Sequence, residues 1–266
     1  MLNFISLGSG SSGNCYLLLS SEGGILIDAG IGVRHIKKVL HTYGYSLDII
    51  KAVFVTHDHA DHIKAVGVLA NDYDIPIYAT APVHEGINRN YCVTSKLTEK
   101  HIRYVEKGQI LRFLNFDITP FEVPHDSTDN VGYMICYDDK TFCLITDVGH
   151  VTDDIRKAVS EANYLILEAN HDEDMLKMGP YPAYLKGRIM GDHGHLCNNE
   201  AGKLLAESVS EKMRHVWLCH LSEENNHPEL CKKTVFSILR SYGIIAGKDF
   251  DVEILKRRTP SQVYEL

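Results

Sequence analysis

The segment Val53-Phe54-Val55-Thr56-His57-Asp58-His59-Ala60-Asp61-His62 constrains this chain more than any other. Its apolar, β-branched and aromatic start reads as a buried strand. The strand ends in H-x-H-x-D-H, which places four potential ligands within six residues where a strand gives way to a loop. His57 and His59 are two apart and point the same way if the backbone stays extended. Asp61 and His62 follow where a turn into a helix would aim them at a second ion. Neutral imidazoles and a carboxylate suit Zn²⁺, Fe²⁺ or Mn²⁺. A solvated, His-rich turn explains any one of these residues, but not all of them directly after an apolar strand.

The rest of the composition agrees with a compact enzyme. The chain has 266 residues, 44% hydrophobic and 23% charged, enough to bury a real core. That length suits one large α/β domain or two small ones, and residues 1–266 are expected to form one. No apolar run approaches the ~20 residues needed to span a bilayer. The N-terminus, Met1-Leu2-Asn3-Phe4-Ile5-Ser6, has no basic flank before an apolar stretch, so the expected compartment is the cytoplasm. A net charge of −8 argues against a strongly basic nucleic-acid binder, yet it leaves room for a nuclease whose metal cations attract phosphate. The seven Cys are odd in number and include no C-x-x-C pair, which points to neither a disulfide framework nor a thiolate zinc site. The fifteen His, several beside Asp, point instead to metal chemistry.

Strands are expected at Asn3–Leu7, Cys15–Ser20, Gly24–Asp28, Ala52–Thr56, Ile75–Ala79, Phe116–Val123, Gly132–Tyr137 and Thr141–Thr146, then at Tyr164–Leu167, His215–Leu218 and Asp251–Leu255. Helical patterns fall at Val33–Tyr43, His62–Asn71, Asp153–Glu161, Ala183–Met190, Asn199–Glu211 and Pro228–Tyr242. Strands come first and then alternate with helices. Two sheets covered by outer helices satisfy that order, although periodicity alone does not separate this from a Rossmann-like sheet.

H-x-H-x-D-H resembles the signature of the metallo-β-lactamase superfamily. The resemblance implies an α/β fold, a four-layer αββα sandwich with its metal site at one edge of the two sheets. It also implies three later ligands, each after a strand. His125 follows Phe116–Pro124, Asp147 follows Thr141–Thr146, and His220 follows His215–Cys219. Two divalent ions are thus expected, one on His57, His59 and His125, the other on Asp61, His62 and His220, with Asp147 bridging. Ions ~3.5–4 Å apart repel, so a shared carboxylate and hydroxide belong between them, and that hydroxide is a nucleophile near neutral pH. Asp61 is placed to orient it. Asp58 and Asp126 are either partners of the ligand imidazoles or solvated loop acids.

Other segments narrow the branch. Leu7-Gly8-Ser9-Gly10-Ser11-Ser12-Gly13-Asn14 is a hairpin turn whose small residues would let backbone amides approach an anion. Lys186 and Arg188 lie on an expected helix, either as a solvated face or as a phosphate grip. His195 stands before a helix start in Gly194-His195-Leu196-Cys197-Asn198, where a His can donate a proton to a leaving oxygen. Together with S-S-G-N-C, P-H-D, I-T-D-x-G, L-E-A-N-H-D and C-H-L-S-x-x-N-N, these segments resemble the YycJ/WalJ-like metallo-hydrolases of bacteria from Ser6 to about Asn226. One departure is Cys197 where that pattern has Ser, which puts the helix start there in question.

This resemblance implies a 5′→3′ exonuclease on double-stranded DNA, tied to DNA repair. Asp61 and His195 would be catalytic, the latter as general acid or phosphate ligand. Asn14, Lys186, Arg188 and Asn198 would contact substrate. Lys256-Arg257-Arg258 reads as a solvated tail in preference to a duplex contact, because three charges make a small electrostatic footprint. Two rivals keep the fold: a hydrolase of small thioesters, lactones or cyclic phosphodiesters on the same ions, and a non-catalytic binding scaffold. A di-iron oxidoreductase of the same fold would be expected to carry an attached flavin domain and an acidic ligand in the place that His59 occupies, so it is set aside.

Overall fold

The computed structural model describes residues 1–266. In the first half, strands β1 (Asn3–Gly8), β2 (Cys15–Ser20), β3 (Gly23–Ile27), β4 (Ile50–Phe54), β5 (Ile77–Ala79) and β6 (Ile102–Tyr104) alternate with helices α1 (Val33–Thr42), α2 (Ala60–Ile63), α3 (Val66–Tyr73) and α4 (Ala81–Arg89). Strands β7 (Leu111–Phe113), β8 (Phe116–Glu122), β9 (Val131–Tyr137) and β10 (Lys140–Ile145) follow. Then come α5 (Asp153–Glu161), β11 (Tyr164–Glu168), α6 (Glu173–Met178), α7 (Ala183–Ile189), α8 (Asn198–Ser208), β12 (His215–Cys219), α9 (Pro228–Ser241), β13 (Asp251–Ile254) and β14 (Tyr264–Glu265). The strands make two seven-stranded mixed sheets, in the orders β14-β1-β2-β3-β4-β5-β6 and β13-β12-β11-β10-β9-β8-β7.

The chain forms two compact units. The first comprises residues 1–120, 127–131 and 256–266, and the second comprises 121–126 and 132–255. In the first unit, Ile5, Leu7, Leu17, Leu26, Val53 and Ile77 join one apolar cluster with Ile36, Val39 and Leu40 of α1, Leu69 of α3 and Val83 and Ile87 of α4. The alternate strand residues Phe4, Tyr16, Leu18, Ile25 and Phe54 are buried as well. Strands covered on both faces read as continuous apolar runs, and β2 and β4 do so. The second unit repeats the plan. Cys143, Ile145, Leu165, Leu167, Val216 and Leu218 pack with Ile155 and Val159 of α5, Leu204 and Leu205 of α8 and Val235 and Leu239 of α9.

The expected elements are present, with three instructive differences. The single helix expected over His62–Asn71 is two helices, because the Ala65 N–H donates to the Ala29 carbonyl (2.8 Å) and not to its own helix. Strand β5 starts two residues later than expected, after Pro76, which has no N–H to give the ladder. Helices α4 and α6 were not among the expected elements, and neither were the short strands β6, β7 and β14, whose two or three residues show no measurable alternation.

Candidate metal centre

In the first unit the H-x-H-x-D-H segment leaves β4 and is anchored on Asp28, just past the end of β3. Asp28 is fully buried. Its Oδ1 accepts from Thr56 N (2.8 Å), and its Oδ2 accepts from Thr56 Oγ1 (2.9 Å) and His62 Nδ1 (2.7 Å). Burial pushes the Asp28 carboxyl above its ordinary pKa, an effect only partly offset by His62 and by these hydrogen bonds. Because the Thr56 hydroxyl gives its proton to Asp28, it accepts from His57 Nδ1 (3.0 Å). The rings cluster as a result, with centroids 4.7 Å apart for His57 and His59 and 4.1 Å apart for His57 and His62.

The Gly/Ser loop supports the same residues from the other side. Asn14 N donates to the Asp61 carbonyl (2.8 Å), while Asn14 Nδ2 lies 3.3 Å from Asp61 Oδ2 and 3.0 Å from His62 Nε2. Gly30 permits this close approach, since a Cβ there would sit 1.6 Å from the Asp61 carbonyl oxygen. Asn14 therefore holds the ligand loop, a role distinct from the substrate contact expected for it.

In the second unit the organising group is Glu168, the last residue of β11, also fully buried. Its Oε2 accepts from Val148 N (2.7 Å) and Leu196 N (3.0 Å), and its Oε1 accepts from His195 Nδ1 (2.8 Å) and His220 Nδ1 (2.9 Å). Burial alone would raise its pKa, but the two imidazoles reverse that and hold the carboxyl well below the usual carboxylate range. Burial likewise works to lower the His195 pKa, and the Glu168 carboxylate more than offsets it, so His195 lies above an ordinary imidazole. Asp147 Oδ1 faces His220 Nδ1 (3.4 Å), His195 Nδ1 (3.6 Å) and His125 Nε2 (3.7 Å), while Thr146 Oγ1 donates to its Oδ2 (2.7 Å). His125 Nδ1 is bonded to the Gly194 carbonyl (2.9 Å). Asp147, Glu168, His195 and His220 each offer a ligand atom within 4.8 Å of the others.

Backbone conformation marks the same places. Of six non-glycine residues with positive φ, three are Asp28 (59°), Asp147 (56°) and His220 (54°), all just beyond strand ends. Left-handed backbone is costly for such residues and tends to collect at functional sites.

The donor chemistry fits divalent cations. His57, His62, His125 and His220 each have Nδ1 engaged, by Thr56, Asp28, the Gly194 carbonyl and Glu168 respectively. This fixes the tautomer and leaves Nε2 as the basic nitrogen, the arrangement that metal-binding histidines require. Neither Asp28 nor Glu168 was singled out as a site residue in the sequence. Their only signal is position, an acid at the end of a buried apolar strand.

The remaining expected site residues are placed as follows. Asp58 accepts from Thr128 N (3.1 Å) and Thr128 Oγ1 (2.5 Å), so it braces a loop and holds no ligand imidazole. Asp126 pairs with Arg188, with Arg188 Nη2 2.9 Å from its Oδ1, and also lies 3.4 Å from His125 Nε2. Lys186 Nζ donates to the Lys177 carbonyl (2.7 Å). Asn198 is buried, and its amide exchanges hydrogen bonds with that of Asn226 (3.0 and 2.9 Å), which stabilises the start of α8. Cys197 does cap α8. Its Sγ accepts from Glu200 N (3.5 Å) and the Glu200 side chain returns to Cys197 N (3.3 Å), so the departure from Ser leaves the capping box intact.

Comparison with known proteins agrees with this geometry. Residues 24–220 match the family model described as the β-lactamase superfamily domain. The chain is 31% identical over 262 residues to the exodeoxyribonuclease YycJ of Bacillus anthracis, covering 98% of both proteins. It is 36% identical over 247 residues to the exodeoxyribonuclease WalJ of Streptococcus pneumoniae, covering 92% of this chain and 91% of that one. Among solved structures, the metallo-β-lactamase fold protein YhfI of Bacillus subtilis superposes with a TM-score of 0.71 at 21% identity, over 100% of this chain and 99% of that one, which shows the shared fold. This chain belongs to the metallo-β-lactamase superfamily of hydrolases, in the branch that holds YycJ and WalJ.

Proposed function

We propose that the chain is a dinuclear, metal-dependent phosphodiester hydrolase, a 5′→3′ exonuclease acting on double-stranded DNA in the cytoplasm. The observation that carries this reading is the tethering through Nδ1 of four of the five proposed ligand imidazoles, His57, His62, His125 and His220, two of them by buried carboxylates. The choice of substrate is supported by the two relatives named exodeoxyribonucleases, matched over nearly their whole lengths.

In this reading His57, His59 and His125 hold one ion, Asp61, His62 and His220 hold the other, and Asp147 serves both. Zn²⁺, Mn²⁺ and Fe²⁺ all suit the donor set. Bound ions would activate water as the nucleophile and offset the charge that builds on the phosphate. The residues of the chain do the rest. Asp61, held by Asn14, orients the attacking water. His195, with Nδ1 fixed by Glu168 and a side chain 16% exposed, has Nε2 left to give a proton to the departing oxygen. Arg188 and Lys186 remain the proposed contacts for the substrate strand, whereas Asn14 and Asn198 are positioning residues.

The test is incubation of the purified protein, with Mn²⁺ or Zn²⁺, with 5′-labelled duplex DNA beside panels of thioesters and lactones. Stepwise release from the 5′ end is expected. The acidic balance of −8 favours the small-molecule alternative, and intact DNA alongside a cleaved thioester would establish it. His195→Ala should slow cleavage about 10²–10⁴-fold with metal content unchanged. Unaltered turnover would reject the proton-donor role.

A further inference from the structure

The sequence left Lys256-Arg257-Arg258 as a solvated tail, but two of these residues line a cavity. The segment returns to the first unit, where Ser9 N donates to the Arg257 carbonyl (3.2 Å) and ties it to the Gly/Ser loop. A cavity of about 220 Å³ opens there, lined among others by Ser12, Gly32, His35, Lys64, Arg257 and Arg258. Its polar walls are basic or neutral, with no carboxylate among the lining residues, in a chain whose net charge is −8.

The cavity shares its walls with the ligand loops of the same unit. Ser12 lies two residues before Asn14, which holds Asp61. Lys64 lies two residues after His62. Gly32 lies two residues after Gly30, against which the Asp61 carbonyl packs. The volume is below the several hundred Å³ of a drug-sized pocket and suits a compact anion. Gly32 also begins α1 without a side-chain cap and with no acid in the first turn, so nothing at the helix start opposes an anion.

We propose that this cavity is a phosphate subsite, in which Lys64, Arg257 and Arg258 hold a backbone phosphate of the nucleic-acid strand beside the one being cleaved. The proposal rests on the phosphodiesterase reading for its substrate, but it concerns binding and is measured without cleavage. Arginine forks and a lysine point charge are the usual means of holding phosphate. Because Lys64 directly follows the helix that carries Asp61 and His62, a phosphate seated there would set the register of the strand.

The test is binding of a fluorescein-labelled duplex oligonucleotide in EDTA, by anisotropy, to the full chain and to the double variant Lys64→Gln/Arg258→Gln. The variant should bind about tenfold more weakly, and the slope of log K against log salt should flatten by about one, since the contact to one phosphate is lost. A control, Lys64→Arg/Arg258→Lys, should bind like the parent. Circular dichroism confirms that both variants fold. The 5′-phosphorylated and 5′-hydroxyl duplexes are compared in parallel. A loss confined to the phosphorylated duplex assigns the cavity to a terminal phosphate, and an equal loss assigns it to an internal one.

Equal affinity and salt slope in parent and double variant would overturn the subsite. Failure of the functional reading looks different. In that case the parent cleaves no DNA with metal present, whatever the anisotropy shows.

Discussion

The two units solve one problem in two ways. Each has a fully buried carboxylate past or at the end of a strand, and each uses it to fix imidazoles through Nδ1. In the first unit Asp28 holds one histidine directly and a second through Thr56, and all four candidate ligands lie within His57–His62. In the second unit Glu168 holds two histidines directly and also receives two backbone N–H groups, and these partners come from three separate loops, after β10, before α8 and after β12. The electrostatic balance differs accordingly. Burial dominates at Asp28 and raises its pKa, while at Glu168 the imidazoles prevail and lower it. A contiguous motif needs one anchor to orient a short loop. Dispersed ligands need a hub that couples several strands.

That contrast can be broken experimentally. The largest effect belongs to the ligands themselves: His59→Ala should reduce cleavage to background and lower bound metal, measured by inductively coupled plasma mass spectrometry. Persisting metal and activity would show that His59 is not a ligand. Glu168→Gln comes next, because the amide would set an N–H against one or more of the four donors that Glu168 now receives. About a 100-fold loss of metal affinity or activity is expected, read by metal titration and steady-state rates.

Asp28→Asn should cost less, about tenfold, since His57 retains Thr56 and only His62 loses a charged partner. Should the Asp28 variant prove the more damaging of the two, the hub description of Glu168 would be wrong. The smallest effect is at Cys197. A hydroxyl accepts a backbone N–H better than sulfur does, so Cys197→Ser should stabilise the start of α8 by roughly 0.5 kcal/mol, about 1–2 °C in a melting curve. A lowered midpoint would mean that the thiol contributes more through packing than as a cap.

Much of this protein was legible before folding. The apolar runs of β2, β4, β11 and β12 mark strands covered on both faces, and H-x-H-x-D-H announces metal because so many ligand types crowd one strand end. The same logic failed for β6 and β7, which are too short and too exposed to carry a pattern. It did not reveal the partners of Asn14 and Asn198. Both are polar residues in turns beside the site, and their type does not reveal whether an amide faces substrate or, as here, Asp61 and Asn226. The basic tail was undervalued for a related reason. Three charges in a row look solvated until Lys64, Ser12 and Gly32 are found on the same cavity.

The sequence by itself determined the strand ends and the kinds of atom placed on them, because alternation, apolar runs and ligand type are local properties of a few residues. Only the tertiary structure decided which nitrogen of each imidazole is held and by what. Those partners, Asp28 for His62 and Glu168 for His195 and His220, lie 27 to 52 residues away along the chain and meet only when neighbouring strands pair.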